Sequence, residues 1–470
     1  METIVRERAL ALLEEQYGKK ESLVLVYGRK GMGKTSLLQT FIQDKPALYF
    51  YATKELEGQC IRRFSKAVAE FCAPFGMNME LQDSWEGALE AFTAQGLPEK
   101  KILVIDEFHT LVKMNPGFLE IIRHAWITWL RPNGVMLILC GSLINIANEL
   151  KAISPVYHTS FFEQTTLQLK VLPLRFTDLK GHLGELNYAQ LVERFCVAGD
   201  SPAYLSCFLD SRPLMENIER HVLTRGSAFF DEPLLELERV TRESANYVSI
   251  MKVIAEDNHK LSEIYGTLNQ RVNALSPYIN NLIDLDLVVK RIPVTEPEPE
   301  KSRKGLYFIR DNFTAFWFTF VYPYISKLHL GQKEEVVGHI QKSLPASKFM
   351  RDNSYTICRD IFLWFCQSGV LDFKPGKTGA VWSSSELMLP LVSLDASGKR
   401  AFVAQCQYTA AGPAQPEMLE SLKYRCMSIP GLSGKELLYG VFSYTGFDQS
   451  LINMAKRDKN VILVQELNLF

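Results

Sequence analysis

The sequence has no apolar run approaching the roughly 20 residues that span a bilayer. Its longest are LVLVY at 23–27, ILVI at 102–105, VMLILC at 135–140 and the aromatic block FTAFWFTFVYPY at 313–324. The N-terminus, METIVRERALALLEEQY, mixes charge with apolar residues and lacks the apolar centre of a secretory signal. There is no charge excess either, since 52 Lys and Arg face 53 Asp and Glu. That balance excludes a strongly basic nucleic-acid coat and an acidic solvating chain, and leaves room only for a local basic patch. Nine cysteines lie scattered with no C-x-x-C pair, which indicates neither a zinc framework nor a disulfide scaffold. Together these absences predict a cytoplasmic protein with reduced thiols and no membrane partner.

What is present is ordinary globular material in quantity, 47% hydrophobic and 22% charged. At roughly 150 residues per domain the length gives about three domains. Over 1–212, apolar runs at 23–27, 47–52, 101–106, 135–140 and 167–171 alternate with helical patterns. Such alternation predicts an α/β domain whose parallel sheet is covered by helices on both faces. Over 213–330, amphipathic segments at 245–256, 260–269 and 274–288 precede two strand candidates, 288–294 and 305–311, around the tip TEPEPEKSRK. Three helices and a hairpin make a winged-helix pattern, with the Pro- and charge-rich tip expected to be mobile. Over 331–470, a helical stretch near 335–368 leads to strand candidates at 381–395, 400–408, 437–444 and 460–467, with a helix at 416–429.

The most informative segment is GRKGMGKT, Gly28 to Thr35, directly after LVLVY. It fits the P-loop pattern G-x-x-x-x-G-K-[ST]. Gly28, Gly31 and Gly33 let backbone N–H groups curl around a β-phosphate, and Arg29, Lys30 and Met32 complete the loop. Lys34 brings a point charge to the β- and γ-phosphates, and the Thr35 hydroxyl suits Mg²⁺. From Ser36 the chain runs on as a helix whose positive end faces the same phosphates. Downstream, KILVIDEF (101–108) is a buried strand ending in Asp106, the carboxylate that organises a Mg²⁺ shell, followed by Glu107, placed to polarise an attacking water. ATP and Mg²⁺ are the expected ligands.

In order along the chain, IVRERALALLEEQ, LVLVYGRKGMGKTSLL, FYATKEL, ILVIDEF and LILCGSLINI resemble the archaeal-type P-loop ATPases of the AAA+/STAND group. The resemblance implies that Arg6 and Glu7 lie beside the adenine, that Ser142 after Gly141 acts as a sensor, and that Pro202 and Tyr204 of GDSPAYL pack against the base. One departure stands out. The family's arginine-bearing segment reads SPVYHTSFFEQTT here (154–166), without arginine, and Arg175 is the nearest later substitute. An arginine finger contributes a factor of about 10³–10⁵ in rate, so slow turnover or activation by a partner is expected.

The third helix of the winged-helix pattern has no Lys or Arg and carries Asp284 and Asp286. Lys290, Arg291, Lys301, Arg303 and Lys304 decorate the hairpin, but Glu296, Glu298 and Glu300 interrupt them. DNA binding rests mainly on cations at phosphates, so an intramolecular arm, as the resemblance implies, is the preferred reading. The resemblance further implies a C-terminal α/β restriction-endonuclease-like domain of the PD-(D/E)xK type. At its reactive positions Glu386 is kept, Met388 replaces the metal-binding Asp, Gln405 the Glu and Gln407 the Lys, with Asp360 near the upstream acid. Neutral amides and Met are poor partners for a hard cation, so nuclease activity is expected to be absent. The alternative is a metal site rebuilt from Glu386, Asp395 and Asp360.

The expected function is that of a slow Mg²⁺-dependent ATPase working as a nucleotide-driven switch on a protein partner. The alternatives are an ATP-gated DNA-binding regulator and a nucleotide-stabilised scaffold.

Overall fold

Five apolar stretches form the strands of the first sheet in a computed structural model of the chain: β1 (Ser22–Gly28), β2 (Ala47–Tyr51), β3 (Lys101–Asp106), β4 (Val135–Ser142) and β5 (Leu167–Lys170). The structure describes residues 6–142, 164–241, 244–383, 386–407 and 412–469. The strand order is β2-β3-β4-β1-β5, with every neighbouring pair parallel. All five lie where the sequence pattern puts them. Because side chains alternate between faces, Leu23, Leu25, Leu103, Ile105, Leu137 and Leu139 enter one core with Phe64, Val68 and Trp85. Val24, Val26, Ile102, Val104, Met136 and Ile138 enter another with Leu13 of α1 (Glu7–Tyr17) and Leu37, Leu38 and Phe41 of α2 (Lys34–Ile42). The central strands β1, β3 and β4 are therefore dry on both faces, as their apolar runs require, whereas β2 and β5 at the edges are partly exposed.

The chain divides into two compact units, Met1–Pro173 and Leu174–Phe470. Residues 174–212, expected to close the first domain, belong to the second unit. The Phe176 N–H donates to Asp360 at 3.2 Å, and the Phe176 ring meets Phe195 edge-on at 5.6 Å. Helix Tyr188–Ala198, which carries Phe195, packs on helix Lys348–Gln367.

Farther along the second unit, helices Ser244–Ala255, Leu261–Thr267 and Val272–Asp284 precede the antiparallel pair β6 (Val288–Arg291) and β7 (Leu306–Ile309). The tip between these strands is docked, contrary to the expected mobile loop. The Val294 N–H donates to Ala380 O at 3.0 Å, and the Trp382 indole N–H donates to Lys304 O at 2.9 Å. Val294 is buried with Val381, Leu389, Val392 and Val403. Buried Val294 and these two hydrogen bonds thus fix the loop, and Lys304 and Lys301 pair with Glu296 and Glu298 beside it.

The last sheet has the order β8-β9-β10-β11-β12-β13, from β8 (Pro375–Ser383), β9 (Glu386–Asp395), β10 (Arg400–Gln407), β11 (Glu436–Ser443), β12 (Val461–Gln465) and β13 (Asn468–Leu469). β9 runs antiparallel to β8 and β10, while β10, β11 and β12 run parallel. The stretch 381–395, read from sequence as one strand, holds the end of β8 and the whole of β9. No helix among the described residues is long and apolar enough to cross a membrane.

Candidate nucleotide site

The loop Gly28–Gly33 leaves the end of β1 and enters α2. Gly31 and Gly33 sit at φ +80° and +77°, a region that disfavours any residue with a Cβ. Gly28 is required for space, because a Cβ there would meet the Val171 carbonyl at 2.7 Å. Gly33 precedes α2 and gives it no side-chain cap. The N–H groups of its first turn, which lack helical partners, therefore favour an anion. Lys34 is buried, and its ammonium donates to Gly28 O at 3.1 Å and Arg29 O at 3.0 Å. Arg29 and Met32 are buried, whereas Lys30 and Ser36 are exposed.

Asp106 lies at the end of β3, almost wholly buried, with both oxygens engaged. Oδ1 accepts the Glu107 N–H at 2.8 Å. Oδ2 accepts the Thr35 hydroxyl at 2.8 Å and the Tyr49 hydroxyl at 2.5 Å. The Thr35 proton points at Asp106, so the lone pairs of its oxygen remain for a cation. A hydroxyl and a carboxylate are the hard donors Mg²⁺ takes when phosphates and water complete its shell. Among the described residues no group of three or more His, Cys, Asp and Glu side chains could hold a metal ion alone.

Glu107 adopts φ +54°, uncommon for a residue other than glycine and concentrated at functional sites. Burial raises its carboxyl above the ordinary range and Asp106 adds to the rise, while Lys34 and Lys30 oppose it. Its Oε2 lies 3.1 Å from His109 Nδ1. Burial, aided by Lys113, Lys34 and Lys54, lowers His109 to about 4, so this imidazole is neutral at physiological pH. A desolvated carboxylate with a raised pKa has the character of a general base.

The structure brings Lys34, Thr35, Asp106 and Glu107 together, as their motifs imply. Arg6, assigned to the adenine by resemblance, donates to Met32 O at 2.9 Å and Leu172 O at 2.5 Å, tying the P-loop to the end of β5. Glu7 is exposed at the start of α1. Ser142 ends β4, but its side chain lies outside the described residues, as does most of segment 154–166. Pro202 and Tyr204 belong to the second unit, where the Tyr204 ring stacks on Phe313 at 4.3 Å. Arg175 is also in that unit and donates to Gln367 at 2.9 Å. Sequence reasoning missed Tyr49 and His109. His109 directly follows the motif KILVIDEF, whereas only the strand order reveals Tyr49.

At the end of β10, Gln405 Oε1 accepts a hydrogen bond from the Arg425 guanidinium, and Gln407 donates to Gly412 O at 2.7 Å. Asp360 accepts the Phe176 N–H, and Asp395 accepts the Ser397 hydroxyl at 2.6 Å and the Arg400 N–H at 3.0 Å. Asp360 and Asp395 therefore have local structural partners, and the Glu386 and Met388 side chains lie outside the described residues. The rebuilt metal site gains no support.

Residues 17–147 match a family model described as an AAA domain, and residues 317–418 match one described as archaea bacterial proteins of unknown function. An uncharacterized protein of Methanocaldococcus jannaschii is 26% identical over 93% of this chain and 94% of its own length. A Walker-type ATPase of Pyrococcus abyssi superposes with a TM-score of 0.52 at 18% identity, covering 67% of this chain and 96% of that one. A STAND protein with a tetratricopeptide repeat sensor from Pyrococcus horikoshii gives a TM-score of 0.28 at 14% identity, covering 78% and 50% respectively. The parallel sheet, the P-loop and the matching AAA domain give residues 17–147 the fold of a P-loop ATPase domain.

Proposed function

We propose that the protein is a slow Mg²⁺-dependent ATPase that works in the cytoplasm as a nucleotide-driven switch. The observation that carries this reading is the convergence of Lys34, Thr35, Asp106 and Glu107 at the open end of one sheet. The loop N–H groups and Lys34 would bind the phosphates, and Thr35 and Asp106 would hold Mg²⁺. The ion, when bound, neutralises charge on the phosphate oxygens. Glu107 orients the attacking water and accepts its proton, a task suited to a carboxylate with a raised pKa. Segment 154–166, where the resembled family carries arginines, has none, so turnover is slow or awaits a partner protein.

The DNA-gating alternative loses ground. The wing tip is docked on the C-terminal sheet, and two of its lysines are paired with wing glutamates. These contacts engage the tip within the second unit. The pairing of Gln405 with Arg425 likewise favours a nuclease-like domain without nuclease activity, because the chain's own cation stands beside the expected metal-binding position. The test is phosphate release by purified protein with ATP, with and without Mg²⁺. The expected result is sluggish, Mg²⁺-dependent release, and turnover of many per second by the isolated protein would refute the slow-switch reading.

A further inference from the structure

We infer that Tyr49 is a positioning residue for the metal-organising carboxylate: its hydroxyl holds Asp106 in the orientation that serves Mg²⁺. The inference rests on the proposed nucleotide site and adds to it a residue outside every motif.

The geometry begins with strand order. β3 lies between β2 and β4, so Asp106 has a neighbouring strand on each side, Tyr51 of β2 and Cys140 of β4 being its register partners. From β2, the Tyr49 hydroxyl reaches Asp106 Oδ2 at 2.5 Å, a short bond of the kind charged acceptors make. The same oxygen accepts the Thr35 hydroxyl at 2.8 Å, and Oδ1 accepts the Glu107 N–H. The two bonds on Oδ2 differ in kind. Thr35 is carried by the P-loop helix α2, whose first turn faces the phosphates. Tyr49 is carried by the sheet itself and donates from a site independent of the loop.

Tyr49 is also chemically suited to the task. A phenol is an ordinary hydrogen-bond donor, and here it donates to the carboxylate from the neighbouring strand. A half-buried phenol brings no charge, so it orients the carboxylate without competing with a cation for it, as a lysine or arginine would. Partners that orient a metal-binding group commonly change metal affinity by about 10–100-fold when removed.

The experiment follows binding of fluorescent mant-ADP to the full chain, first in EDTA and then across a MgCl₂ titration. For Tyr49→Phe, which keeps the ring, the expected result is unchanged binding in EDTA and an approximately tenfold rise in the Mg²⁺ concentration giving half of the Mg²⁺-dependent signal. Tyr49→Leu should show the same rise, which assigns it to the hydroxyl. A thermal melt of each variant verifies folding. A Mg²⁺ titration of a folded variant that overlays the wild type overturns the inference. So does an equal loss of affinity with and without Mg²⁺, which marks a packing role. If wild-type protein shows no Mg²⁺ dependence while Lys34→Ala still binds mant-ADP, the nucleotide site itself is refuted, a different outcome from a failure of Tyr49 alone.

Discussion

Two strand ends in this molecule carry paired side chains in similar settings and have opposite chemical character. At the end of β3, Asp106 and Glu107 meet uncharged side-chain partners: Thr35, Tyr49 and a neutral His109. At the end of β10, Gln405 and Gln407 meet Arg425 and a backbone carbonyl. The first arrangement leaves negative charge for an incoming cation. The second presents neutral amides and already has a guanidinium beside them. A sheet end is therefore a platform, and its chemistry is decided by which partners neighbouring elements supply.

The largest effect is expected from removing the P-loop lysine, which donates to loop carbonyls and not to the carboxylates of the first platform. Lys34→Ala should lower phosphate release by about 10²–10³ and weaken ATP binding, as measured by steady-state assay and calorimetry. Undiminished binding would remove the basis of the comparison. Next is Arg6→Ala, which cuts the tie between Met32 and Leu172. A charge-assisted bond of this kind is worth about 1.5–3 kcal/mol, so ATP affinity should fall by roughly tenfold while the melting temperature falls only modestly. Unchanged affinity would leave Arg6 a mere surface contact.

The second platform is probed by Gln405→Glu. The new carboxylate should pair with Arg425, and Mg²⁺ should add no thermal stability. A Mg²⁺-dependent rise in melting temperature would show that the two platforms are interchangeable. The smallest effect concerns Asp257, which hydrogen bonds from His259 and Lys348 hold well below the usual carboxylate range. A lowered pKa gives stability that is fully present above the unfolded value of about 3.9 and lost as pH falls below it. Asp257→Asn should therefore flatten the acid limb of unfolding below about pH 4. The effect will be small because the side chain is 63% exposed. Asn suits the position, where φ is +67°.

Residues that act through contiguous sequence were legible in advance. Gly28 to Thr35, Asp106 and Glu107 each sit in a run whose apolar strand and following turn define their setting. Strands β1, β3 and β4 were legible for the same reason, because strands buried on both faces are apolar throughout. Tyr49 was not, since its role depends on β2 lying beside β3. Nor was the docked tip between β6 and β7, where buried Val294 lies next to Pro, Glu and Lys residues. The division of the chain at Pro173 was also hidden, because it follows from packing of Phe176 and Phe195 with residues far along the chain.

The central claim, that Glu107 activates water at a Mg²⁺-nucleotide site, is tested most directly by Glu107→Gln incubated with radiolabelled ATP and Mg²⁺. The account predicts that this variant retains intact ATP through gel filtration while the wild type elutes with ADP. If the variant converts ATP to ADP as fast as the wild type, Glu107 is not the base and the claim fails.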